Sequence, residues 1–339
     1  MSNPLLARYA ECIFWLARFV ERADNLARIL EVNETYSHDR SGRQNWRSIV
    51  ELHADEPYFF ARHQEATAET VTRFYLADAD NATSIVNTIA NARENARTLR
   101  PLVSTEMWVQ INIFYNRVRE ITTEDMRPGA LGRLLADIKE SCQTFTGITE
   151  GTFYRDQASY FYRMGRYLER ADQTTRLLDT KFHLLTRASD PATAGEIGQW
   201  HAVLRSASGY HAFRRIHSND LTPARVAEFL LFNAAFPRSV YLCVREVETA
   251  LTQLKSRFLL RGGNDAAEGL DQLRSILVTR SIDHIIETGL HEFIDFLQCY
   301  LILLTNRLSA AFFGVERGGE GMRSVDSGWG LAPLSEIPS

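Results

Sequence analysis

Apolar residues recur at helical spacing from the start of the chain. Leu5, Tyr9, Cys12, Leu16, Phe19, Ala23, Leu26 and Leu30 follow one another at alternating intervals of four and three. That is a heptad seam, which favours near-parallel packing against another helix. Ile13, Val20 and Ala27 add a second stripe that widens the buried face, and Pro4 stands where a missing N–H costs nothing. The pattern predicts a helix over 4–36. Similar periodicity predicts helices over 43–53, 61–77, 80–99, 104–121, 129–150, 153–188, 196–216, 223–232, 238–260, 266–278 and 282–312. Ser104 is placed to cap one of them, Thr222–Pro223 is an N-cap and N1 pair, and Gly262–Gly263–Asn264 reads as a turn. No proline falls between Pro128 and Pro191 or between Pro237 and Pro333, and no run alternates β-branched residues. The expected fold is all-α: a single bundle of long helices over 1–313, with 4–36 and 153–188 among the longest. Residues 314–339 hold six of the nineteen glycines, together with Pro333 and Pro338, and are expected to form an irregular tail that Trp329 pins to the body.

One segment occurs twice. Ala17–Glu31 (ARFVERADNLARILE) aligns without a gap on Gly165–Asp179 (GRYLERADQTTRLLD), 148 residues later. Arg18/Arg166, Glu21/Glu169, Arg22/Arg170, Ala23/Ala171, Asp24/Asp172, Arg28/Arg176 and Leu30/Leu178 are identical. The charges outlast part of the apolar seam, since Leu26 and Ala27 become Thr174 and Thr175. Helix geometry sets Asp24 and Arg28 four apart, Arg18 and Glu21 three apart, so each copy carries a charged ladder along one face. An exposed ladder returns only a few tenths of a kcal/mol per pair. Two ladders facing each other would instead form a polar layer inside the bundle, related by an internal pseudo-two-fold between copies centred on 5–36 and 153–188. Solvated faces on a duplicated helical hairpin are the plainer alternative.

Composition narrows the function. The 339 residues are 45% hydrophobic and 24% charged with a net charge of −4, ordinary for a globular chain and too acidic for a nucleic-acid or anionic-membrane field. The longest apolar run, Cys299–Leu304, is far too short to span a bilayer, and the N-terminus lacks a secretory signal, so a cytoplasmic location is expected. Cys12, Cys142, Cys243 and Cys299 are scattered and read as reduced, mostly buried thiols. Of 38 basic residues only Lys139, Lys181 and Lys255 are lysine. Either codon bias or a need for planar forks that pair with carboxylates accounts for that excess of Arg.

The segments FWLARFVERADNLARIL (14–30), ARENARTLR (92–100) with Ser104, Glu106, Met107, Trp108 and Asn112, GITEGTFYRDQASYFYRMGRYLERADQTTRLLD (147–179) and FLLFNAAFPRSVYLCV (229–244) occur in the order found in the alpha-E domain proteins, an all-helical bacterial family. The chain resembles that family over nearly its whole length. The resemblance implies a context more than a reaction. Such proteins accompany a circularly permuted ATP-grasp protein, and often a transglutaminase-like peptidase, in a system that forms or modifies peptide bonds.

The residues permit limited chemistry of their own. There is no phosphate-binding glycine motif, and no cofactor is expected. His284, Glu287 and His291 share a helical face but lack the paired Glu-x-x-His pattern of a bundle metal centre, so no metal is expected. No cysteine has a local histidine or an elbow motif. Arg93, Arg97 and Arg100 with Glu94 and Asn95, Arg155 with Asp156, and Arg238 at a helix start are secondary candidates for anion or peptide recognition. The leading expectation is a helical partner subunit that binds an ATP-grasp ligase, its peptide substrate, or both, through Arg18, Glu21, Arg22, Asp24, Arg28, Arg166, Glu169, Arg170, Asp172 and Arg176. Two alternatives stay open: an enzyme using Glu21 or Glu169 as acid–base with Arg clamps, and a purely structural bundle that forms a homo-oligomer.

Overall fold

A computed structural model describes residues 5–37, 46–185, 194–218 and 221–314. These form fifteen helices, with no strand among the described residues. The first seven are α1 (Ala7–Ser37), α2 (Arg47–Leu52), α3 (Glu56–Phe60), α4 (Ala68–Leu76), α5 (Ile85–Thr98), α6 (Thr105–Arg119) and α7 (Leu131–Thr152). Then follow α8 (Gln157–Leu185), α9 (Ala194–Ser206), α10 (Tyr210–His217), α11 (Pro223–Phe232), α12 (Val240–Arg257), α13 (Asn264–Thr279), α14 (Ile282–Thr288) and α15 (Leu290–Phe312). The all-α expectation holds, and α1 and α8 are the longest helices.

Helices α1 and α8 pack along each other at the centre. α5 and α7 flank α1, while α12 and α15 flank α8. The short helices cross over: α2 lies on α8 and α9 lies on α1. Along α1 the second apolar stripe is the more deeply buried. Ile13, Val20 and Ala27 are all in the core, whereas Leu5, Tyr9, Cys12 and Phe19 of the heptad seam are only partly covered. The central helix is surrounded on several sides, so its buried face is wider than a two-helix seam.

Helix starts follow the capping residues. Ser104 Oγ accepts from Met107 N, and Thr222 accepts from Arg225 N with Pro223 in the first turn. Gly262 and Gly263 take φ of +92° and +70° in the expected turn. Three expected helices are broken where no proline marks the break. The pattern over 61–77 yields only α4, started by a Thr67–Thr70 capping box. The span 196–216 splits at Ser208 (φ +58°), and 282–312 splits at Gly289 (φ +128°). Cys142 and Cys243 are buried as expected; Cys12 is half-buried and Cys299 is exposed, on the outer side of α15. The glycine-rich segment, Trp329 included, lies outside the described residues. No described helix is long and apolar enough to cross a membrane.

Candidate functional site

The two copies of the charged motif meet where α1 packs along α8. Gly165 permits that approach: a Cβ there would lie 2.2 Å from the Phe14 carbonyl oxygen. Side chains of one copy then reach across to the other. Arg22 donates through Nε to Glu169 Oε1 at 2.7 Å and through Nη2 to Oε2 at 3.1 Å. Arg170 returns the same fork to Glu21, Nε to Oε1 and Nη2 to Oε2, both at 2.8 Å. The amides one turn on repeat the pattern: Asn25 Nδ2 donates to Glu21 Oε1 and Gln173 Nε2 to Glu169 Oε1. Within each helix Arg28 Nε donates to Asp24 at 2.8 Å and Arg176 Nε to Asp172 at 2.9 Å. The Asp–Arg rung foreseen four residues apart therefore forms. The Arg18–Glu21 rung does not, because both residues turn toward the neighbouring helix.

Each glutamate holds a second guanidinium, from a different source. Arg18 Nε donates to Glu169 Oε2 at 2.7 Å, with its Nη1 on Thr305 and its guanidinium 5.0 Å from the Trp15 ring centre. Its counterpart Arg166 turns away to Glu150 and the Tyr167 hydroxyl. Arg238, just before α12, serves Glu21 instead. Its Nη1 donates to Glu21 Oε1 (2.8 Å) and Asn25 Oδ1 (2.6 Å), and its Nη2 to Asp24 Oδ2 (2.7 Å). All four glutamate oxygens thus accept from a guanidinium. Glu169 is 0% exposed, Glu21 5% and Arg238 8%.

Burial alone would push both carboxyls up. The paired guanidiniums outweigh it, Arg170 and Arg238 at Glu21, Arg22 and Arg18 at Glu169. Glu21 is held well below the usual carboxylate range and Glu169 at about 2. Burial lowers Arg238, which stays a cation across the physiological range. The motif is a closed array of charge-assisted hydrogen bonds.

His53, the residue that ends α2, was not singled out by its sequence context. It sits against the second copy, where Arg176 and Arg22 face it. Burial and then those cations depress it to about 3, so it is neutral at pH 7. Beside it Asp55 accepts from the Tyr75 hydroxyl (3.0 Å) and the Thr83 hydroxyl (3.3 Å).

The secondary candidates fall elsewhere, with the exception of Arg238. Arg93 donates to Asn112 and Glu94 and lies over Tyr115, Arg97 pairs with Glu94, and Arg100 covers Trp108. The Asn95 backbone carbonyl accepts from Leu99 N in the last turn of α5. Arg155 pairs with Glu150, and Asp156 accepts from Ala158 N. His291 pairs with Asp179 on α8 at 2.6 Å, while His284 approaches Arg280. One ligand atom each from Asp179, His291 and Asp295 lies within 4.8 Å of the others, a set different from the His284–Glu287–His291 face.

No curated protein and no solved structure matches the chain. A family described as a predicted alpha-helical domain with a conserved ER motif matches residues 5–313. The Glu21–Arg22 and Glu169–Arg170 pairs at the centre of the bundle are two such Glu–Arg dipeptides. The chain belongs to the Alpha-E family.

Proposed function

We propose that this chain is a helical partner subunit of an ATP-grasp-type peptide or amide ligase system, docking on the ligase, on its peptide substrate, or on both. The observation that carries the reading is the saturation of the two glutamates. A general acid–base needs a carboxyl that exchanges its proton near the working pH and reaches the reacting group. Glu21 and Glu169 are ionised, buried and bonded at every oxygen to guanidinium groups. That arrangement favours a framework role, in which the motif fixes α1 against α8; the expected docking through Arg18, Glu21, Arg22, Asp24, Arg28, Arg166, Glu169, Arg170, Asp172 and Arg176 gives way to docking on surfaces outside this paired layer. The ligase context itself comes from the resemblance to alpha-E proteins described above; the family match adds an all-helical domain built around Glu–Arg motifs.

The test is co-purification with a circularly permuted ATP-grasp protein of the same organism, followed by ATP hydrolysis with and without this chain. A complex that survives gel filtration, and a several-fold change in hydrolysis rate on adding the chain, are expected. Separate elution together with identical rates would overturn the reading.

A further inference from the structure

The likeness between the motif copies continues well past the motif. Trp46 and Trp200, both buried, stand 154 residues apart. Ala54 and Ser208, at the same offset, are non-glycine residues with φ of +56° and +58°, a conformation that such residues rarely adopt. Phe59 and His63 lie 4.7 Å apart, as do Phe213 and His217. Phe59 meets Phe74 edge-on at 84°, and Phe213 meets Phe229 at 84°. Thr67 and Thr222 then cap α4 and α11, and Ser84 and Ser239 cap α5 and α12. Packing agrees: α2 covers α8 as α9 covers α1, and α5 flanks α1 as α12 flanks α8. Each motif is therefore roofed by the helix that follows the other motif.

Against this matched background the two roofs differ in chemistry. Arg238 precedes the cap Ser239; Thr83 precedes the equivalent cap Ser84. Before the left-handed residue stand His53 in one roof and Ala207 in the other, and Tyr75 corresponds to Leu230. Over the first motif, Arg238 reaches Glu21, Asp24 and Asn25 Oδ1. Over the second, a threonine is too short to do so, and its hydroxyl is spent on Asp55 and Asn81. The consequence is visible in the acceptors. Gln173 Oε1, the counterpart of Asn25 Oδ1, is buried without a hydrogen-bond partner, on a residue only 7% exposed. His53 Nε2, under the same roof, is also buried and unpartnered.

We propose that His53, Asp55, Thr83 and the Gln173 amide under this roof form a binding site for a guanidinium group, such as the arginine side chain of a peptide, which takes over the second motif the role that Arg238 has over the first. The donor set matches. Arg238 serves Glu21 Oε1, Asn25 Oδ1 and Asp24 Oδ2 with a planar fork of N–H groups and nothing that accepts, leaving Asp24 Oδ1 buried without a partner. The equivalent place over the second motif offers acceptors: the unpartnered Gln173 Oε1, the carboxylates of Asp172 and Asp55, and, in its Nδ1–H tautomer, the unpartnered His53 Nε2. This inference does not rest on a ligase partner, and it is tested on the full chain alone.

Methylguanidinium, arginine amide and a Gly-Arg-Gly amide peptide are titrated into the protein by calorimetry, with methylammonium and acetate as controls. Saturable binding of the three guanidinium compounds at one site is expected, tightest for the peptide if peptide backbone is also recognised, and at least about tenfold weaker for methylammonium, which lacks the planar fork. Thr83→Arg should supply the missing group from within and abolish binding. Gln173→Met should weaken it about tenfold or more, which keeps the test informative if Thr83→Arg does not fold. Arg238→Ala is the positive control: it opens the first site, and a second equivalent of methylguanidinium should bind. Binding to Arg238→Ala with none to the wild type would show that the second roof holds only water, and would overturn the proposal. So would binding of acetate in preference to methylguanidinium.

Discussion

At the scale of single residues, the chain buries charge and compensates it completely at Glu169. Removing one member of such a set leaves the others desolvated and unpaired, which costs about 3–5 kcal/mol. Glu169→Gln strands Arg18 and Arg22 and is expected to lose that much in urea unfolding. Replacing the whole set by apolar residues (Arg18→Met, Arg22→Met and Glu169→Leu together) should recover most of it, because the desolvation cost disappears with the charges. A triple variant no more stable than Glu169→Gln would show that the ion pairs themselves dominate. The pH dependence separates two groups. Glu169 titrates at about 2 in the fold, against 4.5 ordinarily, so its contribution is complete above pH 4.5 and is lost as pH falls through 2. The shift corresponds to roughly 3 kcal/mol. His53, at about 3 in the fold against 6.5 ordinarily, binds its proton more readily when unfolded. Its neutral form contributes fully above pH 6.5, and that stability drains away as pH falls from 6.5 toward 3. Between pH 6.5 and 4.5 only His53 of the two changes. His53→Leu should therefore flatten the decline in stability over that window by up to about 1.4 kcal/mol per pH unit relative to wild type. An unchanged slope would mean that the imidazole is solvated.

At the scale of elements, the contact between α1 and α8 depends on one glycine. Gly165→Ala would place a methyl on the Phe14 carbonyl, backbone against backbone, with no flexible side chain to give way. Overpacking of this kind costs about 1–3 kcal/mol, and parting the helices would also stretch the guanidinium forks. Gly147, exposed within α7, has nothing within 4 Å of its missing Cβ. Gly147→Ala should stabilise by up to about 1 kcal/mol through helix propensity. Opposite signs in the two melting shifts are expected; a neutral Gly165→Ala would mean that the helices can separate without loss.

The same contact shows what could be read from the sequence. Helix existence was legible from apolar period and caps, and the motif was legible because seven identities lie in one ungapped window. The substitution of Leu26 and Ala27 by Thr174 and Thr175 also has its explanation here. Both threonines are buried, and their hydroxyls bond the carbonyl oxygens of Arg170, Arg238 and Asp172. The breaks at Ser208 and Gly289 were not legible, since they depend on positive φ imposed by packing. Nor was Arg238 tied to Glu21: they are 217 residues apart, and nothing in local spacing records a side chain that crosses the bundle. His53 escaped because a lone histidine at the end of a six-residue helix carries no pattern.

For the whole molecule, the crossing-over of roofs and forks ties the two halves together at every level. Glu21 is neutralised by Arg170 and Arg238, both from the second half, and Glu169 by Arg22 and Arg18, both from the first. Neither half contains the guanidinium partners of its own glutamate. Arg28 of α1 likewise reaches Ser208 beyond α9. A half expressed alone would expose the apolar face of α1 or α8 and leave a glutamate and two or more arginines without counter-charges, each unpaired charge costing several kcal/mol when buried. A domain of this size has only about 5–15 kcal/mol of net stability to lose. Fragments 1–154 and 155–339 are therefore each expected to lack a folded monomeric state, by circular dichroism and gel filtration. When co-expressed they should assemble into a 1:1 complex with the helix content of the intact chain, because every crossing contact is restored and only one peptide bond, between Tyr154 and Arg155 at an exposed turn, is missing. The charge pairing sets a further condition. Glu169→Gln in the second fragment should weaken the reconstituted complex by about two to four orders of magnitude, since about 3–5 kcal/mol of pairing across the interface is lost. A first fragment that folds as a stable monomer, or a complex indifferent to Glu169→Gln, would show that the apolar core holds the halves together and that the charged layer only decorates it.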